Sequence, residues 1–141
     1  MADGVWSGGT YVSWGSENRE AAVRLSGAPG SHRFEIRCVD GTASPYLSLA
    51  SILAAVVHGL DTRKTLNIAG SMEIAANLGK EKREELGIGE RRLPSKVEEA
   101  REHLDQSEVL RSGLGDNFVT KYLAVNKVRS PELWPTHRIR Y

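Results

Sequence analysis

The sequence predicts an α+β fold: a few antiparallel strands, one buried helix packed on them, and C-terminal helices outside. Three observations carry this. Between Arg33 and Val39 charged and apolar residues alternate, the period-two signature of a strand with two unlike faces. Pro45 to Leu60 is the most apolar run and is apolar nearly all round, which predicts a helix covered on several sides. From Leu93 to Val128 apolar residues recur at helical spacing, with a glycine break between.

Taken in order, the opening is rich in Gly, Ser and Trp and reads as the middle of a domain rather than its start. Tyr11 to Trp14 is expected to form a short strand, and Gly15-Ser16-Glu17-Asn18 a turn, since Gly and Asn accept left-handed backbone. Ala21 to Leu25 reads as a strand, closed by the turn formers from Ser26 to Gly30. With Arg33 to Val39 it makes an antiparallel hairpin, in which Phe34, Ile36 and Cys38 form the apolar face. Asp40 to Ala43 is a second turn. Ser44-Pro45 then starts the long helix, which runs to about His58, with serine as cap and proline at the first helical position. Asn67 to Arg91 is charged and contains four glycines; it reads as a surface excursion with one short helix near Met72 to Asn77, and the Lys80 to Glu85 charge run as a solvated face. Ser95 and Glu98 have capping-box spacing, ahead of a stripe of Val97, Ala100, Arg101 and Leu104. After Gly113 to Gly115, Asp116 to Val128 forms a last helix with Phe118, Val119, Tyr122, Leu123 and Val125 facing inward, ended by Pro131 and Pro135. No repeat or low-complexity linker interrupts the chain, so residues 1–141 read as one unit.

Composition narrows the function classes. The 141 residues suffice for one core, burying roughly two-thirds of the unfolded surface. Nineteen basic and 18 acidic residues leave a net charge of +1, too little to draw the chain to nucleic acid or an anionic membrane. The Pro45 to Leu60 helix would be about 24 Å long, short of the ~30 Å hydrocarbon layer, so a membrane partner is not expected. Cys38 is the single cysteine, and no secretory signal is present; both point to a reducing, cytoplasmic setting. Cys38 reads as a small buried hydrophobe. His58 and His103 read as helix-surface or packing residues, and His32 and His137 receive no role. Trp6, Trp14 and Trp134 are core anchors or surface that a partner covers. No P-loop motif occurs.

The strongest chemical feature is Arg33, Glu35 and Arg37 on one strand face, with Arg19 and Arg24 able to join them across the hairpin. One reading is an exposed sheet face whose charges pair across strands. The other is a polyanion site, in which arginines present forked donors and a glutamate holds a hard cation such as magnesium. Spacing does not decide between them.

Asn18-Arg19-Glu20-Ala21-Ala22-Val23-Arg24, then Arg33-Phe34-Glu35-Ile36-Arg37, then Ser44-Pro45-Tyr46-Leu47 stand in the order and at the gaps of the glutamine synthetase catalytic domain. The family's pattern there is N-R-x-A-x-x-R, R-x-E-x-R and N-P-Y-L. Leu93 to Leu104 and Gly115 to Lys127 resemble the two helices that close that domain. Asp40-Gly41-Thr42-Ala43 resembles the fungal synthetase-like branch more than the bacterial enzymes.

The resemblance implies a partial synthetase catalytic domain over residues 1–141, its C-terminal portion, without the N-terminal domain and upstream half. It implies Arg19 as catalytic and, with Arg24 and Arg33, as nucleotide-binding; Glu35 as a ligand of the divalent metal; and Arg37 as the residue holding the carboxylate of glutamate. ATP and Mg²⁺ or Mn²⁺ would be the cofactors, glutamate and ammonia or another amine the substrates, and a homo-oligomer or an upstream domain the partner. A catalytically inactive remnant serving as a binding or regulatory module is the alternative. Ser44 stands where the family has asparagine, and the family's other metal-binding glutamates, its metal-binding histidine and its closing-loop glutamate lie upstream of these motifs.

Overall fold

The computed structural model describes residues 8–128. Trp6, Pro131, Trp134, Pro135 and His137 lie outside the described residues. The elements are β1 (Trp14–Ser16), β2 (Val23–Ser26), β3 (Arg33–Ile36), α1 (Pro45–Asp61), a 3₁₀ turn (Ala75–Asn77), α2 (Lys80–Glu85), α3 (Val97–Asp105), α4 (Glu108–Leu114) and α5 (Asp116–Val128). The α+β class stands. The single unit does not: residues 8–44 and 63–96 form one compact unit, and 45–62 and 97–128 another. The chain leaves the first unit at Ser44 and re-enters it at Arg63, a crossing that no compositional linker marks.

In the first unit the sheet order is β1-β2-β3. The predicted hairpin forms, with Val23 opposite Ile36, Arg24 opposite Glu35, Leu25 opposite Phe34 and Ser26 opposite Arg33. The ladder runs on through the Arg37 amide, which donates to the Ala22 carbonyl at 2.9 Å. Gly27 turns the chain at φ +96°, where a Cβ would stand 2.6 Å from the Ser31 carbonyl oxygen. The apolar face differs from expectation. Phe34 is 70% exposed and Cys38, beyond the end of β3 at Ile36, is also exposed, while Ile36, Val23 and Leu25 of the same side are half-buried. The first strand also sits later than the Tyr11 to Trp14 expected. Gly15 and Ser16, assigned to a turn, belong to β1, which pairs parallel to β2. Only residues 17–22 separate the two strands, where parallel neighbours usually need a crossover of a dozen or more residues.

The segment 67–91 is not a surface excursion. Ala75, Leu78 and Ile88 form the buried cluster of this unit together with Tyr11, and Ile68, Ala76 and Leu86 pack against it. The Tyr11 ring lies under two guanidinium groups, Arg92 at 3.4 Å and Arg83 at 5.0 Å from its centroid. The expected helix near Met72 to Asn77 is reduced to the 3₁₀ turn, while the Lys80 to Glu85 run is helical and exposed or half-buried throughout.

In the second unit α1 packs on α4, α4 on α5, and α3 on α5. Gly113 lets α4 approach α1 closely, since a Cβ there would stand 2.6 Å from the Ala54 Cβ. Contrary to expectation α1 has no fully buried residue; α4 covers one side, and Leu49, Leu53, Val56, Val57 and Leu60 remain exposed. The helix expected through Leu104 is α3, and a second helix not read from the sequence, α4, follows it before Gly115. Ser107 caps the second, its hydroxyl accepting from the Leu110 amide at 3.3 Å. In the α3 stripe Val97 and Ala100 are exposed, while Arg101 reaches α5 and donates to Asn126 Oδ1 and its carbonyl at 2.8 and 2.7 Å. On α5, Val119 and Leu123 are buried, but Phe118, Tyr122 and Val125 are exposed. No helix among the described residues is long and apolar enough to cross a membrane.

Candidate functional site

Pairing in the β2–β3 ladder puts directly opposed side chains on one face, so Arg24, Ser26, Arg33, Glu35 and Arg37 share a side of the sheet. Glu35 is the hinge of the group. Its Oε2 accepts from Arg24 Nη1 at 3.2 Å and lies 3.5 Å from Arg37 Nη1, and its Oε1 accepts from the Ser26 hydroxyl at 3.2 Å. A carboxylate offers about four lone-pair sites. Three are engaged here, leaving room for one further ligand.

Arg24 carries a second carboxylate on its other side. Its Nη2 pairs with Glu17 Oε2, while Glu17 Oε1 accepts from the Gly27 amide at 3.3 Å. The Arg24 hydrogen bond is the main cause holding the Glu17 carboxyl below its ordinary pKa; desolvation opposes it, and the Gly27 amide and the charges of Arg24 and Arg19 add to the lowering. Glu17 in turn raises the Arg24 pKa further. The charges therefore run Arg19, Glu17, Arg24, Glu35, Arg37, alternating in sign. Arg24 Nε is buried without an acceptor among the described residues.

Of the five residues singled out by sequence, Arg24, Glu35 and Arg37 are in direct contact. Arg19 is exposed on the turn and reaches the group through its field on Glu17. Arg33 lies on the same face toward the hairpin end, exposed, with no ion pair among the described residues. The salt-bridge reading is thus realised at Arg24, Glu35 and Arg37. Those same pairings hold the Arg24 and Arg37 guanidinium groups in place, while Arg33 makes no ion pair among the described residues.

Two residues of the site escaped sequence reasoning as site members. Glu17 was legible only as a turn residue. Asn18, also assigned to the turn, is 5% exposed and uses all its polar atoms: Oδ1 accepts from the amides of Glu20 and Ala21 at 3.0 and 3.2 Å, and Nδ2 donates to the carbonyls of Ser71 and Glu73, both at 2.9 Å. It fixes the bend that presents Arg19 and compresses the β1–β2 crossover. Close approach at Gly15 completes the junction, since a Cβ there would meet the Ser71 carbonyl oxygen at 1.8 Å. Trp14 anchors the same segment, donating from Nε1 to the Ile68 carbonyl at 2.7 Å.

A divalent cation fits Glu35 as one ligand, through its remaining lone-pair site. Magnesium is commonly held by one or two carboxylates plus phosphate oxygens and water, so a single carboxylate is compatible with one edge of such a site. Among the described residues no three or more His, Cys, Asp or Glu side chains gather as a metal cage.

The arrangement, a hairpin face of arginines around one carboxylate, is accompanied by extended sequence similarity. Over 133 residues the chain is 38% identical to the protein fluG of Emericella nidulans, covering 94% of this chain and 15% of that protein. It is 38% identical over 109 residues to the glutamine synthetase of Pyrococcus furiosus, covering 77% of this chain and 24% of the enzyme. The glutamine synthetase of Clostridium saccharobutylicum is 36% identical over 118 residues, covering 81% of this chain and 25% of the enzyme. The chain thus spans about a quarter of these synthetases and a smaller share of fluG, which gives the widest coverage of the three. The profile described as "Glutamine synthetase, catalytic domain" matches residues 1–134, and the chain belongs to that family.

Proposed function

We propose that this chain supplies the phosphate-, metal- and glutamate-binding edge of an ATP-dependent ligase that joins ammonia, or another amine, to the γ-carboxylate of glutamate. The observation that supports it is Glu35 held between Arg24 and Arg37, with Arg33 further along the same sheet face. Arg19, Arg24 and Arg33 would meet the nucleotide phosphates, Arg19 acting on the phosphoryl group in transfer. Arg37 would hold the carboxylate of glutamate. Glu35 would give one oxygen to Mg²⁺ or Mn²⁺, which when bound neutralises charge at the terminal phosphate.

The chemistry has two steps. A γ-carboxylate oxygen of glutamate takes the terminal phosphoryl group, and the bond to the ADP oxygen breaks. The amine nitrogen then attacks the acyl carbon, phosphate leaves and the nitrogen loses a proton. Phosphoryl transfer asks chiefly for in-line positioning and stabilisation of spread negative charge, which fixed guanidinium groups provide without reorganising. The remaining ligands would come from an upstream domain or another copy of the chain in an oligomer. A cytoplasmic setting suits the single cysteine.

A second reading, an inactive module that binds anions without turnover, is favoured by the engagement of both Glu35 oxygens by Arg24, Arg37 and Ser26. Two measurements test and separate the readings. Calorimetry should show ADP binding that strengthens with Mg²⁺ and loses that dependence in Glu35→Gln. A coupled phosphate-release assay with ATP, glutamate and ammonia should show no turnover by the chain by itself, and turnover when the synthetase domain it belongs to is complete. Binding without turnover in that complete protein selects the second reading, and absence of ADP binding overturns both.

A further inference from the structure

The Glu17 carboxylate is held as a bound anion would be. One oxygen takes the Arg24 guanidinium and the other takes the Gly27 amide, a side-chain donor from β2 and a main-chain donor from the turn just after it, converging on one small acidic group. Neither donor is there by accident of a floppy surface. Arg24 is anchored from its other nitrogen by Glu35, and its side chain is only 16% exposed. Gly27 holds φ +96° in a turn that leaves no room for a Cβ. The Glu17 side chain is the loose partner. It is 54% exposed and rises from a backbone at φ 54°, a left-handed conformation uncommon outside glycine. Such outliers persist where the surroundings over-determine them, and they cluster at binding sites. Arg19 adds its field to the same spot.

We propose that Glu17 is a built-in stand-in for the phosphate anion: it fills the donor pair of Arg24 Nη2 and the Gly27 amide, and a phosphoryl group enters by displacing it. The inference rests on the reading of Arg24 as a phosphate contact. It adds that the resting site is self-occupied, so that affinity is set by competition with a tethered carboxylate. A carboxylate and a phosphate present oxygens of the same kind to a guanidinium, so the exchange keeps Arg24 Nη2 and the Gly27 amide satisfied. It also explains how a buried-edge arginine with a spare Nε stays paired before ligand arrives. The internal carboxylate discriminates as well, since only an anion offering more charge than Glu17 gains by replacing it; a dianionic phosphate does, and chloride does not.

Removing the competitor raises the fraction of protein ready to bind. Apparent affinity scales with that fraction, so neutralising an exposed but tethered partner is expected to tighten binding by about three- to tenfold. The probe is inorganic pyrophosphate without divalent ions, titrated calorimetrically into the chain, its Glu17→Gln variant and its Arg24→Ala variant. Glu17→Asn serves as a second neutral variant, because asparagine adopts positive φ readily and keeps the test decisive if the glutamine form folds poorly. Tighter binding in the Glu17 variants, with loss in Arg24→Ala, is the expected result. Equal or weaker binding in the Glu17 variants while Arg24→Ala still abolishes it overturns this inference and leaves the phosphate role of Arg24 standing. Binding that is indifferent to Arg24, or absent in every form, overturns both. A Glu17→Gln variant that binds free pyrophosphate no better and its magnesium complex more weakly would make Glu17 a cation ligand, and the inference fails.

Discussion

The side-chain amide of Asn18 donates to the main-chain carbonyl of Ser71 at 2.9 Å, across 53 residues of sequence. With its second bond to the Glu73 carbonyl it ties the turn that carries Arg19 to the segment entering the unit's core. Gly15, three residues earlier in β1, rests against the same Ser71 carbonyl. Asn18→Ala removes four hydrogen bonds from a buried position and takes the side-chain donor from the Ser71 carbonyl, while the Glu73 carbonyl keeps the Ser71 hydroxyl; a loss on the order of 2–3 kcal/mol is expected in urea unfolding. Asn18→Asp should fare no better, because it turns the donor that meets two carbonyls into an acceptor. Gly15→Ala should prevent this unit from closing, since its Cβ would meet backbone rather than a movable side chain. A Gly15→Ala protein with unchanged unfolding midpoint would show that the junction is not formed.

Little of that junction was legible in the sequence. The hairpin was, because its signals are local: charged and apolar residues alternate through Ile36, and turn formers fill the loop. Asn18 gave only its turn preference. Its partners are carbonyls of residues 71 and 73, and main-chain acceptors leave no mark in composition. The core contributed by Ala75, Leu78 and Ile88 hid for a related reason, since three apolar residues scattered among charges and glycines show no period. Val119 and Leu123 were recovered within a correct helix, whereas the exposure of Phe118, Tyr122 and Cys38 depends on which neighbours lie against them. Periodicity identifies a face as apolar; it does not say what covers it. At the site, Arg24, Glu35 and Arg37 were legible as one strand face, and Glu17 was missed because its role depends on the sharp return between two parallel strands.

Glu17 gives a pH signature. Its carboxyl is held below the ordinary glutamate value chiefly by the Arg24 hydrogen bond. A group whose folded pKa is depressed stabilises the fold fully above its unfolded value and loses that contribution as pH falls through the folded one. The Glu17–Arg24 link should therefore persist through neutral and mildly acidic pH and open only below the normal glutamate range. A carbon-detected NMR titration of the Glu17 carboxyl should show this low midpoint, returning upward to the ordinary value in Arg24→Ala. An unshifted midpoint in the unaltered chain would mean that the pair is not formed in solution.

Arg33 and Arg37 flank Glu35 on one strand yet sit differently, Arg33 exposed at the hairpin end and Arg37 held against Glu35. The proposed roles predict a split in the complete enzyme. Arg33→Ala should weaken ATP more than glutamate, and Arg37→Ala the reverse, each by about tenfold or more for a lost charge-assisted contact. Initial-rate KM values for the two substrates provide the comparison. Equal and small effects on both would leave the face as a salt-bridge ladder only.

The exposed side of α1 makes the last prediction. Leu49, Leu53, Val56, Val57 and Leu60 recur at helical spacing and all are exposed, while the opposite side, around Ala54, meets α4 through Gly113. An apolar stripe of this length amounts to a few hundred Å² or more, the range in which patches on soluble proteins mark contact surfaces. The chain by itself should therefore self-associate at micromolar concentration and bind an environment-sensitive dye. Leu53→Glu with Val57→Lys should reduce both, measured by light scattering and dye fluorescence. Because both positions are already exposed, each change should leave unfolding stability within about 0.5 kcal/mol. A control substitution on the α4-facing side, Ala54→Leu, should instead destabilise, since the Ala54 Cβ already lies where any added atom would press on Gly113. A sharp monomer with no dye binding in the unaltered chain would show that the α1 stripe is covered in solution, and the association argument would fall.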